Sequence, residues 1–527
     1  MKKIALLTVV VAVAASACAQ QPDVLARKYA GYITPQNAKV HLTILAADDM
    51  EGRETGKPGA EKAARYLAGE YKALGLLPAN KGSYFLDVPL EETSLKADKF
   101  MVSGTSLIYG KDYYAQGWAE PKKLNESSIV FVGYGSPAEM TVDVAGKIVL
   151  LIGEERPGTN MPQTTSNRRR GVMMSEARQA IMQHLIAKNP ALILQVSSLT
   201  AANAPRFTQP RVSMSVKKEN TDVVPVPPVN FFITPSVANQ LLKSTGKTYE
   251  TLKSAIDESK PQTQVVNVPI VADFGTVHKD ITAQDIVAYI PGADPKLKDE
   301  VLVFSAHYDH IGLNADGPDK VNNGADDDGS GSVGILEIAR AFMRAKKEGH
   351  GPKRTILFLG NVGEEKGLLG SEYYAEHPVF PLAKTITDLN IDMIGRVGEE
   401  YLNSPDSANF IYPIGSAMLS STLRKVLENA NNTYTHLKLD YKYDDPKDPN
   451  RFYYRSDHYN FAKHGVPIIF FFNGVHADYH KPSDEVSKIN FPLLAKRAQL
   501  VFYIGWDLAN RAERPVVDMK SPMVNDR

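Results

Sequence analysis

The residues of this chain best suited to chemistry are His307, Asp327, Glu365, Asp392 and His480: two imidazoles and three carboxylates, each at a strand-end or turn signal. A donor set of this kind, with no thiolate in it, can hold a pair of divalent cations. Zinc suits it best, with cobalt or manganese behind. Two such ions bring four positive charges against three carboxylates, which leaves room for a bridging hydroxide. Glu364 directly precedes Glu365, so one carboxylate can bind metal while its neighbour handles a proton. The arrangement points to hydrolysis.

Each block also has a plainer reading. In Asn323-Gly324-Ala325-Asp326-Asp327-Asp328-Gly329-Ser330-Gly331, helix capping accounts for one aspartate. Three packed between glycines repel one another unless a cation lies near. Gly363-Glu364-Glu365-Lys366-Gly367 alone is as ordinary as a surface turn, and its place after an apolar strand is what sets it apart. Asp392 ends an apolar run, where an isolated ionised carboxylate costs several kcal/mol or more. Asp309 lies two positions past His307, and such residues on a strand share a face, so it can orient that ring. By the same rule His310 points away and reads as a loop histidine. His480 alone would be an ordinary loop residue, and only its company makes it a ligand candidate.

The elements that must carry these groups follow from hydrophobic pattern. Apolar runs Val301 to Ala306, Thr355 to Leu359, Ile386 to Ile391 and Val466 to Phe472 read as strands, with a helix over Val333 to Lys346. Buried strands separated by helices predict an α/β fold with a largely parallel sheet covered on both faces. Ligands in such sheets gather at the carboxyl ends of strands, where the candidates fall. Helical spacing of Ala60, Ala63, Ala64, Leu67, Ala68, Tyr71 and Leu74 predicts an amphipathic helix between Gly59 and Gly75. Ahead of it, Glu51-Gly52-Arg53-Glu54-Thr55-Gly56 reads as a solvated turn rather than a cleft wall. From Ser127 to Val271 short β-rich runs, a helix near Ser175 to Lys188 and prolines 225, 227 and 228 suggest an inserted domain. Arg168-Arg169-Arg170 within it reads as a solvated loop.

Taken together, the blocks His307-Tyr308-Asp309-His310, Gly324 to Gly331, Gly363 to Gly367, Asn390-Ile391-Asp392-Met393 and Tyr479-His480 resemble the M28 family of zinc aminopeptidases. The resemblance includes Glu51 to Gly56 and runs from Thr282 to about Ala509. The insert resembles a protease-associated domain, most clearly at Val142 to Leu150. It implies a zinc-exopeptidase-like fold and two zinc ions per chain. Asp327 would bridge them, His307 and Asp392 would complete one site, and Glu365 and His480 the other. Glu364 would be the general base, Asp309 the support of the first histidine, and Tyr479 an oxyanion stabiliser. The expected division is 1–18 signal peptide, 24–126 and 276–510 peptidase domain, 127–275 insert, and 511–527 tail. Tyr441 to Asp457 are expected to wall the substrate pocket, and Ser456-Asp457-His458 resembles a recurring segment of the family.

The 60 Lys and Arg balance the 60 Asp and Glu, so no net field draws in nucleic acid or an anionic membrane. Lys2 and Lys3 before an apolar run from Ile4 to Ala17 have the form of a secretory signal. Two readings of the single cysteine, Cys18, stand beside each other: lipidation at a bacterial lipoprotein site, giving a membrane tether, or cleavage after Ala17 or Ala19. Export to the periplasm, or anchoring at the outer membrane, is the expectation. With a peptide as partner, the activity expected is removal of amino-terminal residues. The alternatives are a same-fold hydrolase of carboxyl-terminal or acylated substrates and a non-catalytic peptide-binding relative.

Overall fold

The computed structural model describes residues 22–159, 175–207, 209–217, 229–258, 260, 262–315 and 317–520. The expected signal, Cys18, Arg168 to Arg170 and prolines 225, 227 and 228 lie outside them. The chain divides into two compact units, residues 1–88 with 283–527 and residues 89–282. The second unit therefore opens at Pro89, whereas the sequence pattern places the start of the insert at Ser127.

The first unit is built on a mixed, largely parallel sheet. Its strands are residues 286–290 of β1 (Gln264–Ile290), then β2 (Val301–His307), β3 (Thr355–Asn361), β4 (Thr385–Ile391), β5 (Phe410–Ile414), β6 (Lys438–Leu439) and β7 (Ile468–Phe472), in the spatial order β6-β5-β7-β4-β2-β3-β1. Strands β2, β3, β4 and β7 run parallel, and β1 and β5 flank them antiparallel. Every residue of β2, β3, β4 and β7 is buried. The near-continuous apolar sequences of β2, β3 and β7 are what a sheet covered on both faces requires, and β4 buries Asp388 and Asn390 against the Ser305 hydroxyl of β2.

Helix α1 (Pro58–Leu74) begins with proline in its first turn and ends on Gly75 at φ 92°, a left-handed cap that glycine adopts freely. Its buried stripe is Ala60, Ala63, Ala64, Leu67, Ala68 and Tyr71, the face the helical spacing marks. Helix α2 (Gly331–Lys347) is buried along most of its length, and α3 (Phe491–Asn510) starts from an Asn490 cap. Phe342 of α2 packs on Phe502 and Trp506 of α3, with ring centroids 4.8 and 5.9 Å apart.

The second unit holds its own sheet. Residues 264–274 of β1 pair antiparallel with Lys122–Phe131, followed by parallel Ile148–Ile152, Leu192–Val196 and Asn230–Ile233. Helix Glu176–Ala187 starts from the Ser175 side chain, which accepts from the Arg178 amide. Phe100, Tyr113, Phe231 and Phe274 centre its core, with edge-on contacts of Phe100 to Tyr113 and Phe231 at 5.0 and 5.2 Å. Among the described residues no helix is long and apolar enough to cross a membrane.

Candidate metal centre

Four parallel strands end at one place. His307 is the last residue of β2, Asp392 follows β4 directly, Glu364 and Glu365 follow β3, and His480 lies in the loop beyond β7. The Asp327 loop enters α2 beside them, with a cis peptide between Asp327 and Asp328. Nε2 of His307 is 3.4 Å from Oδ1 of Asp327, 3.7 Å from Oδ2 of Asp392 and 3.9 Å from Oε2 of Glu364. Across Asp327, Nε2 of His480 is 3.0 Å from its other oxygen and 3.1 Å from Oε2 of Glu365. One carboxylate thus serves two clusters.

The structure itself tests whether divalent cations suit this site. Two atoms each about 2.0–2.2 Å from one zinc ion can lie no more than about 4.3 Å apart, and every distance above is shorter. Nε2 of His307, Oδ2 of Asp327 and Oε1 of Glu365 are buried without a hydrogen-bond partner among the described residues. Buried polar atoms are seldom left so. The carboxyl of Glu364 is pushed well above its usual range by burial, with Glu365 and Asp392 adding and His307 opposing. Burial works against charge on His307, but Glu364, Asp309, Asp327 and Asp392 outweigh it and hold the ring well above its usual range. Crowded acids over imidazoles, with nothing softer than nitrogen, are a fit for zinc.

Only the middle aspartate faces the clusters. Asp328 accepts from the Gly331 and Met393 amides at 2.9 and 3.0 Å, and Asp326 from the Gly395 amide at 2.6 Å. The flanking acids are staples between the α2 entrance and the turn after Asp392. Asp309 reaches His307 chiefly through its backbone: Nδ1 lies 3.1 Å from the Asp309 carbonyl and 3.7 Å from Oδ1. That carboxylate takes the Thr55 hydroxyl at 2.7 Å and the Glu364 amide at 3.3 Å, so it ties the turn after β3 to the end of β2.

Two expectations need correction. The Glu51 to Gly56 segment is no solvated turn: Arg53 is fully buried and donates to the carbonyls of Leu45, Tyr308, Asn323 and Gly324. Glu54 meets Lys366 at 2.8 Å. Nor does His310 point away. The strand ends at His307, so the alternation of sides stops there, and His310 is buried with Nδ1 2.9 Å from Oε1 of Glu365. Asp484, given no role from sequence, accepts from the Asp326 and Asp327 amides at 2.9 and 3.1 Å. An acid four positions after a candidate ligand was the available signal.

Tyr479 stacks on His480 with centroids 3.9 Å apart, and burial, then Asp327 and Glu365, keep its hydroxyl protonated well above the usual range. It lines a cleft with Phe452, Phe470, Phe472, Val475 and Arg455 that opens on Asp327, Glu364 and Asp392. Asp457, expected at the pocket wall, is instead fully buried, as is His458 beside it.

Residues 285–505 match peptidase family M28. That stretch holds all six groups of the two clusters. A probable leucine aminopeptidase of Arthroderma benhamiae is 30% identical over 238 residues, 44% of this chain and 60% of the relative. The chain thus spans under two thirds of that relative's length. An aminopeptidase from Aneurinibacillus sp. strain AM-1 shares the fold at 18% identity, with TM-score 0.53, over 94% of this chain and 98% of that one. A zinc aminopeptidase from Bacillus subtilis does so at 18% identity, with TM-score 0.50, over 93% and 99%.

Proposed function

We propose that the protein is an exported dizinc aminopeptidase that hydrolyses amino-terminal residues from peptides. The observation that carries this reading is the pair of imidazole and carboxylate clusters sharing Asp327, with Glu364 alongside. The M28 match and the aminopeptidase relatives support it. His307, Asp327 and Asp392 would hold one ion, and Asp327, Glu365 and His480 the other. Bound there, zinc supplies Lewis acidity toward the scissile carbonyl and lowers the pKa of water.

The protein's own groups do the rest. Glu364 takes a proton from the attacking water at its carboxylate and returns it to the leaving amine. The hydrogen bond its backbone N–H donates to the Asp309 carboxylate fixes its position relative to the His307 strand. Tyr479, held protonated, donates to the developing oxyanion. Phe452, Phe470, Phe472 and Val475 exclude water and favour an apolar side chain at the cleaved residue. We read residues 89–282 as a protease-associated domain that tunes substrate choice. Export, by either fate of Cys18, belongs to the same reading.

The test is a panel of aminoacyl nitroanilides with the zinc-loaded protein. Hydrolysis should vanish with chelator, return with zinc, and fall about 10²- to 10⁴-fold in Glu364→Gln with metal content unchanged. Arg455 is a cation on the same cleft, so N-acyl amino acids belong in the panel. Cleavage of those alone would replace the aminopeptidase assignment with the carboxylate-directed one.

A further inference from the structure

The imidazole of His310 is a buried group that this mechanism does not use. Its backbone amide donates to the Arg53 carbonyl at 3.1 Å, which pins the turn after β2. Its ring rests against Gly324, where an added Cβ would lie 2.6 Å from Cγ and Cδ2 of the imidazole. Gly324 also sits at φ +56°, so backbone and ring both need glycine there. The loop that presents Asp327 therefore leaves space for this ring.

The ring is aimed at the second cluster. Nδ1 is 2.9 Å from Oε1 of Glu365 and 3.9 Å from Oδ2 of Asp327, and ligand atoms of the three residues lie within 4.8 Å of one another. His480 approaches the same two carboxylates, using Oε2 of Glu365. Each Glu365 oxygen thus faces a different imidazole. Both ring nitrogens of His310 are buried: Nδ1 faces the Glu365 carboxylate without hydrogen-bond alignment, and Nε2 has no hydrogen-bond partner among the described residues. A histidine present only for packing would satisfy at least one nitrogen.

We propose that His310 is a ligand of the second cation, joining Asp327, Glu365 and His480. This rests on the dizinc reading above and deepens it. The two sites become unlike: one imidazole with two carboxylates at the His307 site, two imidazoles with two carboxylates at the other. A nitrogen-richer site prefers zinc to manganese, so the two positions discriminate between metals.

X-ray absorption on the zinc-loaded, unaltered protein should count three imidazoles shared between two ions. In His310→Ala the count should fall to two, and chelator competition should show one zinc bound at least about 10-fold more weakly. Should His310→Ala fail to fold by circular dichroism, His310→Asn replaces it, and the count on the unaltered protein still decides. Two imidazoles in the unaltered protein overturn the proposal. An unchanged count in the variant, even with weaker zinc, also overturns it and makes His310 a brace for Glu365. Either result leaves the dizinc reading standing, whereas an unaltered protein that takes up no zinc ends both.

Discussion

The two flanks of the centre are held in different ways. On one, His307 closes a buried strand with its side chain 1% exposed, and Asp392 follows the adjacent strand. On the other, His480 stands in a loop at φ 56° with its side chain 36% exposed. The first flank inherits its geometry from the sheet. The second depends on polar contacts that fasten a loop: Arg396 to Asp478 at 2.8 Å and to Asp484 at 3.5 Å, and Lys488 to Asp478 at 2.7 Å. A site with one flank set by the sheet and one by a loop should lose them separately.

The largest effect should come from the brace of the strand-end flank. Arg53 satisfies four buried carbonyls, one of them on Tyr308 beside the ligand and two at the start of the Asp327 loop. Arg53→Met leaves those acceptors unpaired and should cost on the order of 3–5 kcal/mol in urea unfolding. A variant as stable as the parent would show that the sheet alone holds this flank.

Asp484→Ala addresses the loop flank. It removes the acceptor of the Asp326 and Asp327 amides and a partner of Arg396. Loss of such support costs about 10- to 100-fold in metal affinity. If the site holds two ions as proposed, chelator competition should show that loss mainly in one of them, with the other within a few-fold of the parent. Equal weakening of both would mean that Asp327, rather than the loop, transmits the change, and the contrast between flanks would fail.

The same contrast explains what could be read from sequence. Strand ends are legible because β2, β3 and β7 are mainly apolar runs, and the polar residue closing each run stands out, whereas β4 carries Thr387, Asp388 and Asn390 within it. The order of strands along the chain is therefore legible in the sequence. The supports were not legible. Arg53 and Thr55 meet Tyr308 and Asp309 across more than 250 positions, and a charged residue between glycines has the composition of a surface turn. A period of two puts His310 on the wrong side because the strand ends at His307. The second unit's opening at Pro89 had no signal, since strand Phe85–Val102 crosses that position without a break.

The smallest effect separates the centre from the core behind it. His458 lies fully buried, its ring stacked on Phe470 at 4.6 Å and Nε2 2.9 Å from the Tyr453 carbonyl. Burial pushes its pKa down to about 3, only partly opposed by that carbonyl. Its sign is opposite to that of His480, which burial also disfavours but Asp327 and Glu365 raise to about 10. For His458 the unfolded chain binds a proton near pH 6.5 and the folded one does not until about pH 3. Between those values the unfolded state holds more protons, so stability falls as pH falls. In metal-free protein this residue should account for about 1 kcal/mol of the loss between roughly pH 7 and 5.5. His458→Gln should flatten the acid limb of urea midpoint against pH by that amount. An identical limb in parent and variant would mean that His458 is protonated in the fold, and that the core behind the strand-end flank admits charge as the loop flank does.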